Sequence, residues 1–324
     1  MSRLAAALAA VTVLTVTASG CVTVHGEREV VPSATRAEAA QALRDFTDAY
    51  NRADKAFDPA LDAGRVTGPL GAVNQAGLKA RRTTSPGGNP QHVPLELTDA
   101  KFAIPRKAGW PRWFVADADS NTDKDNGPDD TRWLLVFVRG GPKDVWKAAH
   151  LSVLAPRQVP VFAADGDGWA RPVPPDDPEL AVAPRDLSEK YAAYLRTGRP
   201  ESAFAPGPHT TQWRELRKKS ATRPGMSTQY VDQAMDGADF APLALRTQDG
   251  GALVFFATRH FERQTAAKGV RLDINADVRA LMTGEARSAV TKERVSDDAA
   301  LVPKGHAPVT VINRLQGLTS AKGE

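Results

Sequence analysis

A single cysteine, Cys21, sets the terms on which this chain can fold. With one thiol, no disulfide can close within the chain, so an exported protein of this sequence must be held by packing and hydrogen bonding alone. Export is what the residues around Cys21 indicate. Arg3 supplies a short positive region, an apolar run extends from Leu4 to about Thr17, and the small residues Ala18, Ser19 and Gly20 lead directly into the thiol. The run is shorter than the ~20 residues that a membrane-crossing helix needs, and small residues end it, so it is a targeting segment. A cysteine at that junction is the acceptor of a diacylglycerol group, with cleavage between Gly20 and Cys21. The competing reading is plain secretion with Cys21 a stray thiol. Each buried methylene contributes about 0.8 kcal/mol, and stable anchoring takes two chains or signals, which a diacyl group provides. No later segment reaches ~18 consecutive apolar residues, so no transmembrane helix is expected.

Once the signal is removed, the chain is long enough for two domains of ordinary size. Its 42% hydrophobic and 25% charged content is that of a globular protein with a sizeable core. Charge is uneven. Residues 1–182 carry 21 basic and 22 acidic side chains, and residues 183–324 carry 21 and 16. A basic second half is attracted to an anionic membrane or wall polymer, against the simpler reading of an ordinary solvated surface.

Hydrophobic patterning gives the organisation. Residues 21–34 form a polar tether. Arg36 to Ala56 has Ala39, Leu43, Phe46 and Tyr50 on one helical stripe, capped by Ser33 or Thr35. Asp58 to Ala80 has the pattern of short helix broken by glycine, and Thr83 to Pro94 that of a loop. Trp113–Ala116, Trp133–Val138, Ala148–Leu154 and Val159–Phe162 are strand signals, with Asp117–Asp130 an acidic turn and Asp165-Gly166-Asp167-Gly168 a hairpin turn. Arg171 to Pro184, with five prolines, is the linker. The second half repeats the order: helices at Leu187–Leu195 and Gln212–Ser220, then strands at Pro242–Arg246, Ala252–Glu262, Ala286–Val295 and Pro308–Leu318. The expectation is an α+β protein of two similar domains, residues 35–175 and 186–324, joined by a Pro-rich linker at 176–185. In each, an N-terminal helix packs on a curved antiparallel sheet.

Catalytic signatures are missing. The chain has no G-x-S-x-G, S-x-x-K, H-E-x-x-H or P-loop motif, and an acylated Cys21 is no nucleophile. No catalytic residue, cofactor or metal ligand is assigned. The alternating Asp117, Asp119, Asn121, Asp123 and Asp125 fail the calcium-loop frame, because Asn126 and Arg132 occupy the glycine and glutamate positions. His260, beside Arg259 and Glu262, lines a pocket mouth if its sheet is concave, and otherwise a solvent face. Five of the six tryptophans fall between Trp110 and Trp169, a pattern of cleft or, more simply, of core. Arg214, Arg217, Lys218 and Lys219 form the densest basic stretch and are the candidate contacts for a phosphate-bearing ligand or membrane, against a solvated helix face.

The signal ending in Cys21, the segment Leu61-Asp62-Ala63-Gly64-Arg65-Val66-Thr67-Gly68-Pro69-Leu70 and the aromatic strand Trp133-Leu134-Leu135-Val136-Phe137 resemble a family of lipoproteins found in Streptomyces and related actinobacteria. The excess of Arg over Lys, 28 against 14, fits such a GC-rich source. The two-unit layout is similar to tandem NTF2-like or cystatin-like domains. The resemblance implies a place and a fold, without a mechanism. The expectation is a lipid-anchored module on the extracytoplasmic face of the cell membrane, binding or scaffolding without catalysis. Its partners are the membrane through the lipid, and an envelope protein or anionic polymer; nucleic acid is not expected. The alternative is an enzyme with dispersed acid/base residues in an NTF2-like pocket.

Overall fold

The computed structural model describes residues 29–324 except Asn126 and Pro128; the signal and Cys21 lie outside the described residues. A short strand β1 (Val30–Pro32) leads into α1 (Arg36–Ala56). Helix α1 begins where Thr35 accepts from the Glu38 amide at 3.1 Å and Glu38 accepts from the Thr35 amide at 2.8 Å, a reciprocal cap. It ends on Phe57, whose φ of 47° lies in the left-handed region. Helix α2 (Gly68–Thr84) follows, then β2 (Leu97–Ala103), β3 (Arg106–Ala108), β4 (Arg112–Ser120), β5 (Arg132–Arg139) and β6 (Lys147–Leu154). Strand β1 pairs with β3, while β2-β4-β5-β6 form a four-stranded antiparallel sheet.

The second half runs α3 (Leu187–Thr197), α4 (Thr211–Ser220), β7 (Thr222–Arg223), β8 (Met226–Met235), β9 (Leu243–Arg246), β10 (Ala252–Ala266), α5 (Ala276–Leu281), β11 (Met282–Thr283), β12 (Ala289–Val302) and β13 (Thr310–Gly323). Its seven-stranded sheet has the order β11-β13-β12-β10-β8-β7, with β9 also on β10. All pairings are antiparallel except β11 with β13.

Strand alternation stacks these elements into four layers. On one face of the first sheet, Phe114, Ala116, Leu135 and Phe137 meet Ala42, Leu43 and Phe46 of α1. The Phe114 and Phe137 rings stack at 5.0 Å, and Phe46 meets Phe137 edge-on at 6.0 Å. On the other face, Trp113, Val115, Leu134 and Val136 pack directly against Leu245, Leu253, Phe255 and Ala299 of the second sheet. The outer face of the second sheet, through Val254, Phe256, Ala300 and Val302, is covered by Leu187, Tyr191, Tyr194 and Leu195 of α3 and by Trp213 of α4. Each half therefore lays a helix on an antiparallel sheet. The halves differ in strand number and order, and the two sheets share one core.

Several local expectations are corrected. The broken helix expected over 58–80 resolves into a single turn at Pro59–Leu61 and a continuous α2. Helix α2 starts on Gly68, whose φ is +55° and where a Cβ would fall 2.7 Å from the Asp239 carbonyl, so the glycine opens the helix rather than breaking it. Asp117 to Ser120 belong to β4, not to a turn. Val159–Phe162 makes only an isolated bridge, from Phe162 to Thr247. Strands β2 and β8 went unsignalled for different reasons. Most of β2 is exposed, and the buried positions of β8 are Thr228, Asp232 and Met235, so polar residues stand where an apolar alternation would announce a strand. The Pro-rich stretch is packed: Val173, Leu180 and Val182 join the core against α3.

Because both sheets bury Phe255, its truncation should be felt by the whole molecule. We expect Phe255→Ala to cost about 3–5 kcal/mol. Urea unfolding, followed by tryptophan fluorescence (five of six tryptophans lie in the first half) and by far-ultraviolet circular dichroism, should show one coincident transition in both the native protein and the variant.

Candidate functional site

Helix α4 decides where its basic residues go. At 3.6 residues per turn, Trp213 and Arg217 fall on one face and point at the sheet, Arg214 and Lys218 fall on the flank, and Lys219 faces away. Trp213 is buried, and the Arg217 and Arg314 guanidinium carbons lie 3.7 Å and 3.4 Å from its ring centroid. Two groups that close to one centroid occupy opposite faces of the indole, since one face has no room for both.

Arg217 is held from below. Its Nη1 donates to both carboxylate oxygens of Asp232 on β8, at 2.8 and 2.9 Å. Asp232 Oδ1 lies 2.7 Å from His260 Nδ1, and His260 Nε2 lies 3.0 Å from the hydroxyls of Ser296 and Thr258. Thr258 donates to Asp298 Oδ2 at 2.7 Å. A continuous polar chain thus runs from the surface of α4 across β8, β10 and β12 into the core. Burial pushes the Asp232 carboxyl up, but His260 and Arg217 more than offset this and leave it below its ordinary value. Burial also holds His260 below the usual histidine range, against the pull of Asp232. His209, in the loop before α4, is lowered to about 4 by burial and by Arg314. Asp298 is fully buried, its Oδ1 has no partner, and burial raises it to about 8.

Beside this chain a cleft of 470 Å³ opens between α3, α4 and β8. Arg196, Arg214, Arg217 and Lys218 line it, with Glu215 and Asp232 as the acidic members and Tyr230 as a wall. Arg196 donates to the Asp232 main-chain carbonyl at 2.5 Å, and Arg214 donates to the Leu195 carbonyl at 3.3 Å while stacking on Tyr194. The guanidinium groups are therefore fixed before any ligand arrives. A second pocket of 200 Å³ lies across Arg217 and Tyr230, with Leu216, Phe261, His260 and Arg294 in its lining.

The structure brings Arg214, Arg217 and Lys218 to one cleft and leaves Lys219 outside it. Sequence reasoning missed Arg196, Tyr230 and Asp232. The signal that could have found Asp232 is an acidic residue within a polar strand, facing a buried arginine one helical turn after a tryptophan. His260 lies under Trp213, edge-on at 4.9 Å, and is buried rather than solvent-facing. In the acidic loop, Asp119, Asp123 and Asp130 offer carboxylate oxygens within 4.8 Å of one another, each half-buried.

The spacing Asp232–His260–Ser296 has the distances of a catalytic triad. Ser296 is 0% exposed on a central strand, so no carbonyl can approach its hydroxyl. The same buried position makes the chain a structural support for Arg217.

The family described as a domain of unknown function (DUF8094) matches residues 30–323, and the chain belongs to that family. An uncharacterized lipoprotein of Streptomyces coelicolor is 56% identical over 317 residues, covering 98% of this chain and 94% of the relative. An uncharacterized lipoprotein of Streptomyces avermitilis is 53% identical over 326 residues, covering 99% and 96%. A second S. coelicolor lipoprotein is 29% identical over 234 residues, covering 70% and 64%. These relatives agree with the resemblance seen in the signal. No solved structure matches the chain. Among the described residues, no helix is long and apolar enough to cross a membrane.

A carboxyl whose pKa rises on folding stabilises the fold fully below its unfolded value, and that contribution is lost as pH climbs through the folded one. For Asp298 the window runs from about 4 to about 8. We expect Asp298→Asn, which keeps the shape and removes the ionisation, to flatten the decline in stability across that window, as read from urea midpoints measured along a pH series.

Proposed function

We propose that the protein is a lipid-anchored module on the extracytoplasmic face of the membrane, which binds an anionic group in the cleft between α3, α4 and β8 without catalysing its conversion. The lipid is carried by Cys21, and the names of the relatives support that address. The observation behind the ligand class is the convergence of Arg196, Arg214, Arg217 and Lys218 on one cleft, with Asp232 already held by His260 and Arg217. Planar, pre-fixed guanidinium groups beside a mobile ammonium suit a phosphate or carboxylate. A duplicated NTF2-like or cystatin-like origin is part of the same proposal, supported by the helix-on-sheet layout of both halves.

The helical phase of α4 separates this reading from a merely basic surface. Lys218→Glu should weaken binding of inorganic phosphate or of a glycerol-phosphate polymer by about ten- to a hundredfold, the span of one charged hydrogen bond. Lys219→Glu, one residue on, should change it by less than about threefold, in keeping with a rim or off-site charge. Calorimetric titration checks both, and equal losses for the two variants would sink the cleft in favour of a diffuse field. An enzymatic reading would use the Asp232–His260–Ser296 alignment and would require the buried Ser296 to become accessible, against its burial in this structure. Covalent labelling by a fluorophosphonate, abolished by Ser296→Ala, would establish it.

A further inference from the structure

We infer that the end of the first sheet where the described chain begins is a membrane-docking face for anionic phospholipid, separate from the cleft. The inference rests on the anchoring of Cys21. Glu29 is the first described residue, eight positions after Cys21. That many residues span at most about 28 Å even when fully extended, so the surface where the chain enters the fold is kept close to the bilayer.

The chain enters beside an aromatic and cationic cluster. Val30 pairs with Ala108 at the end of β3, two residues before Trp110. The Trp110 ring carries the Arg112 guanidinium at 4.5 Å and the Arg139 guanidinium at 4.9 Å. Arg112 and Arg139 are register partners on β4 and β5, so Trp110 closes the same sheet end that the β5–β6 loop caps. Apolar surface is left uncovered there: Val30 is 60% exposed, and Val145 in that loop is 46% exposed. Arg36, Lys107 and Lys143 add charge, against Glu29, Glu38 and Asp144; Glu38 is already engaged by Thr35 and by Arg139 at 3.8 Å. A tryptophan between cations, flanked by exposed aliphatic side chains, is suited to the headgroup layer, where the ring is apolar and its edge is wet.

The test uses the processed chain with Cys21→Ser, so that only the face supports binding. The probes are vesicles of phosphatidylglycerol and phosphatidylcholine in equal parts, and of phosphatidylcholine alone. Binding is expected for the anionic vesicles only, declining with salt. A basic residue near such a surface is worth about fivefold in affinity, so Arg36→Gln with Lys143→Gln should lose on the order of 25-fold. The exposed pair Lys304→Gln, in the connection between β12 and β13, with Lys322→Gln, on β13, should lose none. Brominated acyl chains should quench tryptophan emission, and Trp110→Phe should remove that quenching while leaving circular dichroism unchanged. Equal binding to both vesicle types, equal loss in the two double variants, or quenching that survives in Trp110→Phe would overturn the docking face. Mass analysis of Cys21 in the exported chain tests anchoring separately. An acylated cysteine without Trp110 quenching sinks the face alone, and a free thiol sinks the anchor.

Discussion

The interface between the two sheets depends on Asp297. It is a fully buried carboxylate on β12 that reaches across to β6, the edge strand of the first sheet. Its Oδ1 lies 2.6 Å from His150 Nδ1, and its Oδ2 accepts the Leu151 amide at 2.7 Å. Asn313 on β13 accepts the next outward amide, that of Val153, at 3.2 Å. An edge strand presents unpaired amides that invite another chain. Here those amides are taken by side chains of the opposite sheet. Burial pushes the Asp297 carboxyl up, and the His150 ring opposes it. Such a group is costly to bury and costly to leave unpaired, so it specifies one register for the two sheets where apolar packing alone would tolerate sliding. In a chain without disulfides, this bond does what a covalent staple would do elsewhere.

The second buried chain, from Arg217 through Asp232 and His260 to Asp298, follows a different logic. A long, flexible arginine loses much entropy when a ligand immobilises it. Anchoring by Asp232 and stacking on Trp213 remove that loss before binding, and Trp213 is itself seated by Arg314 on its other face. The orphaned Oδ1 of Asp298 marks where the arrangement remains unbalanced. The cleft is thus built on the second sheet, with the polar chain from Arg217 to Asp298 beneath it.

Much of the layer plan was legible in the sequence because the strands that form the shared core are apolar on both faces. Trp133–Val138 and Ala252–Glu262 announce themselves by β-branched and aromatic density, and α1 by its stripe and its Thr35 cap. What escaped notice was polar burial. β8 turns Thr228 and Asp232 inward, β12 turns Ser296 and Asp298 inward, and periodicity arguments assume that inward means apolar. The basic run on α4 was visible, but its division into Arg217 inward, Arg214 and Lys218 flanking and Lys219 outward required the helix phase against a known partner. Arg196 could not be assigned to the site at all, because its part in it comes from the end of α3 reaching the Asp232 carbonyl.

The layer order also links the two proposed surfaces. The docking face sits at the end of the first sheet, while the cleft lies between α3, α4 and β8, on the second sheet. With Trp110 at the headgroups, the short tether leaves little freedom to invert the molecule. A chain that merely trailed from its acyl group would present the cleft in every direction. Fixing the end that carries Val30 and Trp110 makes the orientation of Arg214, Arg217 and Lys218 a property of the fold.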